Sequence, residues 1–153
     1  MCVLFFYGDN MNEKYMSLAL KEAKKASMNG DIPVGCVIIK NDKVIAKSYN
    51  KKEKHNNAIK HAEIDAISKA CRKLKTWHLD DCILYTTMEP CTMCTGAIIQ
   101  SRIKKIYFSL SNESFGYLKT YCKINKTKII YEEGLFNKEV KQLLKQFFTN
   151  IRR

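Results

Sequence analysis

Cys82-Ile-Leu-Tyr-Thr-Thr-Met-Glu-Pro-Cys-Thr-Met-Cys-Thr-Gly-Ala-Ile-Ile-Gln100 reads as a buried strand that stops at Glu89-Pro90 and turns into a helix. The run Cys82 to Thr87 is apolar and of strand length. Pro90 suits a helix entry, because its missing N–H would have had no partner there. Cys91 and Cys94 stand one helical turn apart at the start of that helix, where unpaired N–H groups and the helix dipole favour thiolate. C-x-x-C alone describes a redox pair or half of a structural zinc site. Neither explains His61-Ala62-Glu63 upstream, nor the lack of a second C-x-x-C. His61, Cys91 and Cys94 make three zinc-type ligands, and a catalytic zinc keeps its fourth position for water. Glu63 is then free to handle that water's protons. The bland reading of Glu63 is a solvated helix charge or a partner of His61.

Working outward, Glu13 to Met28 carries Tyr15, Leu18, Ala19, Glu22, Ala23 and Ala26 at helical spacing and is closed by Asn29-Gly30. Val34 to Ile39 and Val44 to Tyr49, joined by Asn41-Asp42, read as a β-hairpin. A polar loop over 50–60 leads to a helix from His61 to about Lys73. Lys105 to Phe108 and Lys128 to Tyr131 are further strands, and 134–152 is a closing helix. About five strands alternating with helices predict an α/β fold with a sheet between two helical layers.

The 153 residues are expected to form one domain, and because Met11 can serve as a start, residues 1–10 read as a dispensable extension. Apolar residues make up 46% and charged residues 27%, which excludes a disordered chain. The apolar opening 1–7 is too short for a signal peptide or a membrane span. Cys2, Cys36, Cys71, Cys82 and Cys122 are scattered singly, which fits reduced thiols in a cytoplasmic protein. A net charge of +12 favours polyanionic partners, although a lysine-rich surface gives the same number without one.

Pro33-Val-Gly-Cys-Val37, Asn50, His61-Ala-Glu-Ile64, Leu84 to Ala97, Ser101-Arg-Ile103 and Glu133-Gly-Leu135 resemble the bacterial tRNA-specific adenosine deaminases, from about Met11 to the C-terminus. The H-x-E and P-C-x-x-C pair is shared by the whole cytidine-deaminase-like superfamily. The run Met93-Cys94 to Ser101-Arg102-Ile103 is more specific to the tRNA branch. The resemblance implies a three-layer α/β/α sandwich on a mixed sheet, with one zinc ion per subunit. It further implies deamination of the wobble adenosine of a tRNA anticodon stem-loop to inosine, by a homodimer. By position, Asn50 would hydrogen-bond the flipped purine, where an Asn merely satisfying loop backbone is the plainer reading. Val34 and Ala62 would line the base pocket, with Val34 otherwise simple core. Arg102, Lys104 and Lys105, with the Arg152-Arg153 end, are candidate phosphate contacts or a solvated face. Asn112 stands where the family carries an Asp that meets the RNA 2′-OH, and an amide lacks the charge that strengthens such a bond.

Two other functions share these residues. A deaminase of free guanine, cytosine or a nucleoside would use the same zinc cup and need no basic rim. A zinc-stabilised RNA-binding module would more often close the metal with a fourth protein ligand.

Overall fold

A computed structural model describes residues 12–152, so the 1–10 extension, Cys2 and Arg153 lie outside the described residues. Ten elements follow in chain order. They are α1 (Glu13–Met28), β1 (Gly35–Lys40), β2 (Lys43–Tyr49), α2 (Ala62–Leu74), β3 (Cys82–Met88), α3 (Thr92–Gln100), β4 (Lys105–Leu110), α4 (Leu118–Asn125), β5 (Ile130–Glu133) and α5 (Asn137–Ile151). The sheet order is β2-β1-β3-β4-β5, with β1 antiparallel to both neighbours and β3, β4 and β5 parallel. This is the mixed five-stranded α/β fold read from the sequence.

Helices cover both faces, so β1 is a nearly continuous apolar run rather than an alternating one. Cys36 and Ile38 point into one core with Ala66, Leu84, Ile98 and Phe108, under α2, α3 and α4. Val37 and Ile39 point the other way, against Tyr15, Met16 and Ala19 of α1. There Tyr15, Tyr85 and Tyr107 pile up, with ring centroids 5.5 Å and then 4.9 Å apart. Gly35 permits that closeness, because a Cβ on it would lie 2.0 Å from the Ala19 carbonyl oxygen. Asn41 and Asp42, both left-handed, make the two-residue hairpin turn whose twist suits β1 and β2.

Three expectations need adjusting. The segment after Gly116 contains the short helix α4, which the sequence reading did not find. The last strand starts at Ile130 rather than Lys128. The closing helix starts at Asn137 rather than Gly134, because Gly134 (φ +123°) and Phe136 (φ +60°) hold the preceding turn in the left-handed region.

Strand register decides where the functional residues collect. Gly35 pairs Tyr49 and Cys36 pairs Thr86, so Val34, Asn50 and the end of β3 share one edge. Met88 pairs Leu110, which brings Asn112 to the same edge. Among the described residues no helix is long and apolar enough to cross a membrane.

Candidate metal centre and pocket

His61 and Cys91 are the N-cap residues of α2 and α3, both in extended backbone conformation. Neither side chain caps its own helix, which leaves both free to face each other. Cys94 sits one turn into α3 and is fully buried. The Cys91 Sγ and the Cys94 Sγ each lie 3.6 Å from the His61 Nδ1, and the three donor atoms fall within 4.8 Å of one another. Tetrahedral zinc, with bonds of about 2.0 Å to nitrogen and 2.3 Å to sulfur, would set its nitrogen and sulfur ligands about 3.5 Å apart. The donor set therefore fits a tetrahedral N/S metal with three protein ligands.

The two thiols are shifted in opposite directions. Hydrogen bonding from Cys94 and from His61 brings the Cys91 thiol down to about 4, against the opposing effect of burial. Cys94 is pushed up by its neighbour Cys91, by burial and by the Glu63 carboxylate. His61 is raised by its bond to Cys91. Such a cluster holds protons that a bound metal would displace.

Glu63, one residue into α2, is 4% exposed. Its Oε1 accepts from the Thr86 hydroxyl at 3.3 Å and its Oε2 from the Cys94 Sγ at 3.5 Å. Burial raises its pKa, the direction expected of a carboxyl that exchanges protons in a cavity. The solvated-charge alternative fails, since Glu63 faces inward. Two residues on, Asp65 fastens the start of α2 by accepting from Ser48, from Lys51 at 2.8 Å and pairing with Lys69 at 3.3 Å and Lys60 at 3.5 Å.

A cavity of about 540 Å³ opens over this group. Val34, Asn50, Ala62 and Asn112 all line it with His61, Glu63 and Cys91, so every substrate-pocket residue expected from the sequence comes together. Asn50 carries out loop duty as well: its Nδ2 donates to the Ile32 carbonyl at 3.2 Å and its Oδ1 accepts from the Lys52 N–H at 3.2 Å. One amide hydrogen and one acceptor lone pair remain. Asn112 uses its Oδ1 to accept the Phe115 N–H at 3.1 Å.

Other lining residues were not foreseen: Ile32, Lys52, Glu89, Phe115, Leu144 and Phe148. The doublet Phe147-Phe148 held a faint signal. Successive helical residues point about 100° apart, so both cannot face one core. Phe147 is buried and Phe148 turns towards the cavity.

Arg102, Lys104 and Lys105 lie elsewhere. Lys105 pairs Ile83 at the start of β3, the sheet edge opposite the cavity. Arg102, with a left-handed φ of 66°, stacks on the exposed Trp77 ring at 4.9 Å and bonds His78 at 3.0 Å. Arg152 is exposed and stands one helical turn beyond Phe148, on the cavity side of α5.

The profile of the MafB19-like deaminase family matches residues 10–152. The chain is 39% identical over 144 residues to the tRNA-specific adenosine deaminase of Rickettsia bellii, covering 90% of this chain and 99% of the relative. It superposes with a TM-score of 0.81 and 32% identity on a structure from studies of A-to-I editing by tRNA:A34 deaminases at the wobble position, over 87% of this chain and 100% of that one. A guanine deaminase from Bacillus subtilis is also 32% identical, over 92% of this chain and 95% of its own, but superposes less well, at 0.65. Shared sequence, fold and an N/S donor trio beside a buried glutamate place the chain in the family of tRNA-specific adenosine deaminases.

Proposed function

We propose that the chain converts adenosine to inosine at the wobble position of a tRNA anticodon, with one zinc ion held by His61, Cys91 and Cys94 and with Glu63 as the proton carrier. The observation that carries this reading is the burial of Glu63 against Cys94, at the floor of a cavity shared with Asn50, Val34 and Ala62. When bound, zinc supplies Lewis acidity and lowers the pKa of water from 15.7 towards about 7. Glu63 takes a proton from the water that attacks the purine C6 and passes it to the ring nitrogen beside that carbon. It then takes the proton of the new C6 hydroxyl and delivers it to the exocyclic amine, which leaves as ammonia while the C6–O bond becomes the carbonyl of inosine, so one carboxylate serves both transfers. The remaining hydrogen-bonding capacity of Asn50 suits the flipped base, which Val34 and Ala62 enclose.

The mouth of the cavity favours a polynucleotide. Phe115 is 75% exposed, and Ile32 and Phe148 are also exposed there. Splayed bases of a single-stranded loop stack on aromatic faces of this kind, whereas a free base needs only the enclosed floor. Lys52 on the rim, with Arg152 beyond α5, would meet phosphates. Asn112 lines the same cavity, and its amide would meet a ribose hydroxyl. The protein acts in the cytoplasm as a homodimer of one deaminase domain per subunit. A free-base deaminase remains the rival reading, on the strength of the guanine deaminase similarity. Ammonia release from guanine, cytosine and their nucleosides separates the two: it should be negligible beside turnover of an A34 anticodon stem-loop, and brisk release from guanine would favour the rival.

A further inference from the structure

Two buried carboxylates outside the proposed proton transfers fasten the two loops that wall the cavity, and one of them, Glu89, also lines it. Asp31 is fully buried between α1 and β1. Its Oδ1 accepts from the Glu53 N–H at 2.6 Å and its Oδ2 from the Lys54 N–H at 3.1 Å. Those amides open a helical turn, closed by bonds from the His55 N–H to the Lys51 carbonyl and from the Asn57 N–H to the Lys52 carbonyl. That loop carries Asn50 and Lys52 into the cavity wall.

Glu89 repeats the arrangement on the other wall. It is 5% exposed, and its Oε2 accepts from the Asn112 N–H at 3.2 Å while its Oε1 accepts from the Lys119 N–H at 3.0 Å. Lys119 is in the first turn of α4, whose own N-cap residue, Tyr117, offers no side-chain bond. Gly116 allows the approach, because a Cβ there would sit 2.5 Å from the Glu89 Oε2. The Pro90 carbonyl accepts the Tyr117 N–H at 2.9 Å, and Cys91 bridges to Gly116. The stapled loop carries Asn112, Ser114 and Phe115 to the cavity.

Each carboxylate thus does from a distance what an N-cap side chain does locally: an anion satisfies orphan N–H groups at the positive end of a helical turn. Neutral amides would keep one acceptor oxygen and turn a donor towards the second N–H. We infer that Asp31 and Glu89 are positioning residues that hold the two cavity walls in binding geometry, one fastening the Asn50 wall and the other the Asn112–Phe115 wall.

Glu89→Gln and Asp31→Asn, each in the zinc-loaded full chain, test this by amide hydrogen exchange and by kinetics on an A34 stem-loop. In Glu89→Gln the Asn112 and Lys119 amides should exchange at least tenfold faster, and in Asp31→Asn those of Glu53 and Lys54, with Val37 and Leu84 unchanged. KM should rise fivefold or more in each, with kcat falling less than KM rises. Glu89→Asp keeps both acceptor oxygens on a shorter stem, and should recover part of the protection and of KM. Unchanged exchange at the named amides would overturn the inference, as would loosened amides with KM within twofold of wild type. A hundredfold loss of kcat with protection intact would overturn it too, placing Glu89 in the chemistry. The KM comparison rests on the substrate proposed above, whereas exchange needs no substrate. Should guanine prove to be the substrate, the same comparison is made with guanine, so the two failures stay distinct.

Discussion

The Cys94 Sγ lies 3.5 Å from the Glu63 Oε2, so a candidate metal ligand and a buried carboxylate are in direct contact. The two side chains come from different helices, and each is locked where its helix begins or completes a first turn. Preorganised neighbours of this kind let one carboxylate work on a metal-activated water without rearrangement.

Glu63→Gln should keep the metal and lose the proton carrier. Turnover should fall by at least the ~10²–10⁴ typical of a lost general acid–base, with zinc stoichiometry by metal analysis unchanged. Near wild-type rates would remove Glu63 from its proposed role.

Cys91→Ser and Cys94→Ser should each lose zinc and lower the unfolding temperature, since metal-binding energy at such a site is also folding energy. Chelation should do the same to the parent protein. Cys71→Ser should retain full metal, as Cys71 lies on the far end of α2 and only partly buried. Full zinc occupancy in either ligand variant would contradict the donor set.

Asp65 gives a pH dependence. Burial opposes its ionisation, but hydrogen bonds from Lys51 and Ser48 outweigh it and hold the carboxyl well below the usual carboxylate range. A depressed folded-state pKa contributes stability that is complete above the unfolded value near 4 and is lost as pH falls below it. Asp65→Asn should cost about 1–2 kcal/mol at pH 7, allowing for the partly exposed lysines, and the difference from the parent should shrink below pH 4. Denaturant unfolding at both pH values checks the sign.

Most of the fold was legible because periodicity, cap residues and turn chemistry are local. Glu13–Met28 matched to the residue, and Asn41-Asp42 marked the hairpin. The missing helix α4 has no local cap; its first turn is held by Glu89, thirty residues earlier, which only the folded chain reveals. The gathering of His61, Cys91 and Cys94 beside Glu63 was readable, because their types and spacing form a recognisable pattern. Phe115, Leu144 and Phe148 were not, because they reach the cavity through loop closure and helix docking. The Arg102–Lys105 run is near Cys91 and Cys94 in sequence, yet α3 carries it back across the sheet to the opposite edge.

That placement separates the basic residues. Lys52→Glu, at the cavity rim, should weaken stem-loop binding by about tenfold or more and reduce its dependence on salt. Lys104→Glu, at the far edge, should have the smaller effect. Titrations at several salt concentrations decide it, and the reverse ranking would move the RNA path to the Trp77–Arg102 edge.

The most direct measurement is mass analysis of an A34 anticodon stem-loop after incubation with the zinc-loaded protein. Inosine at position 34 alone is expected, with one ammonia released per inosine, and no product from the Glu63→Gln variant. An unaltered A34 alongside rapid deamination of free guanine would contradict it.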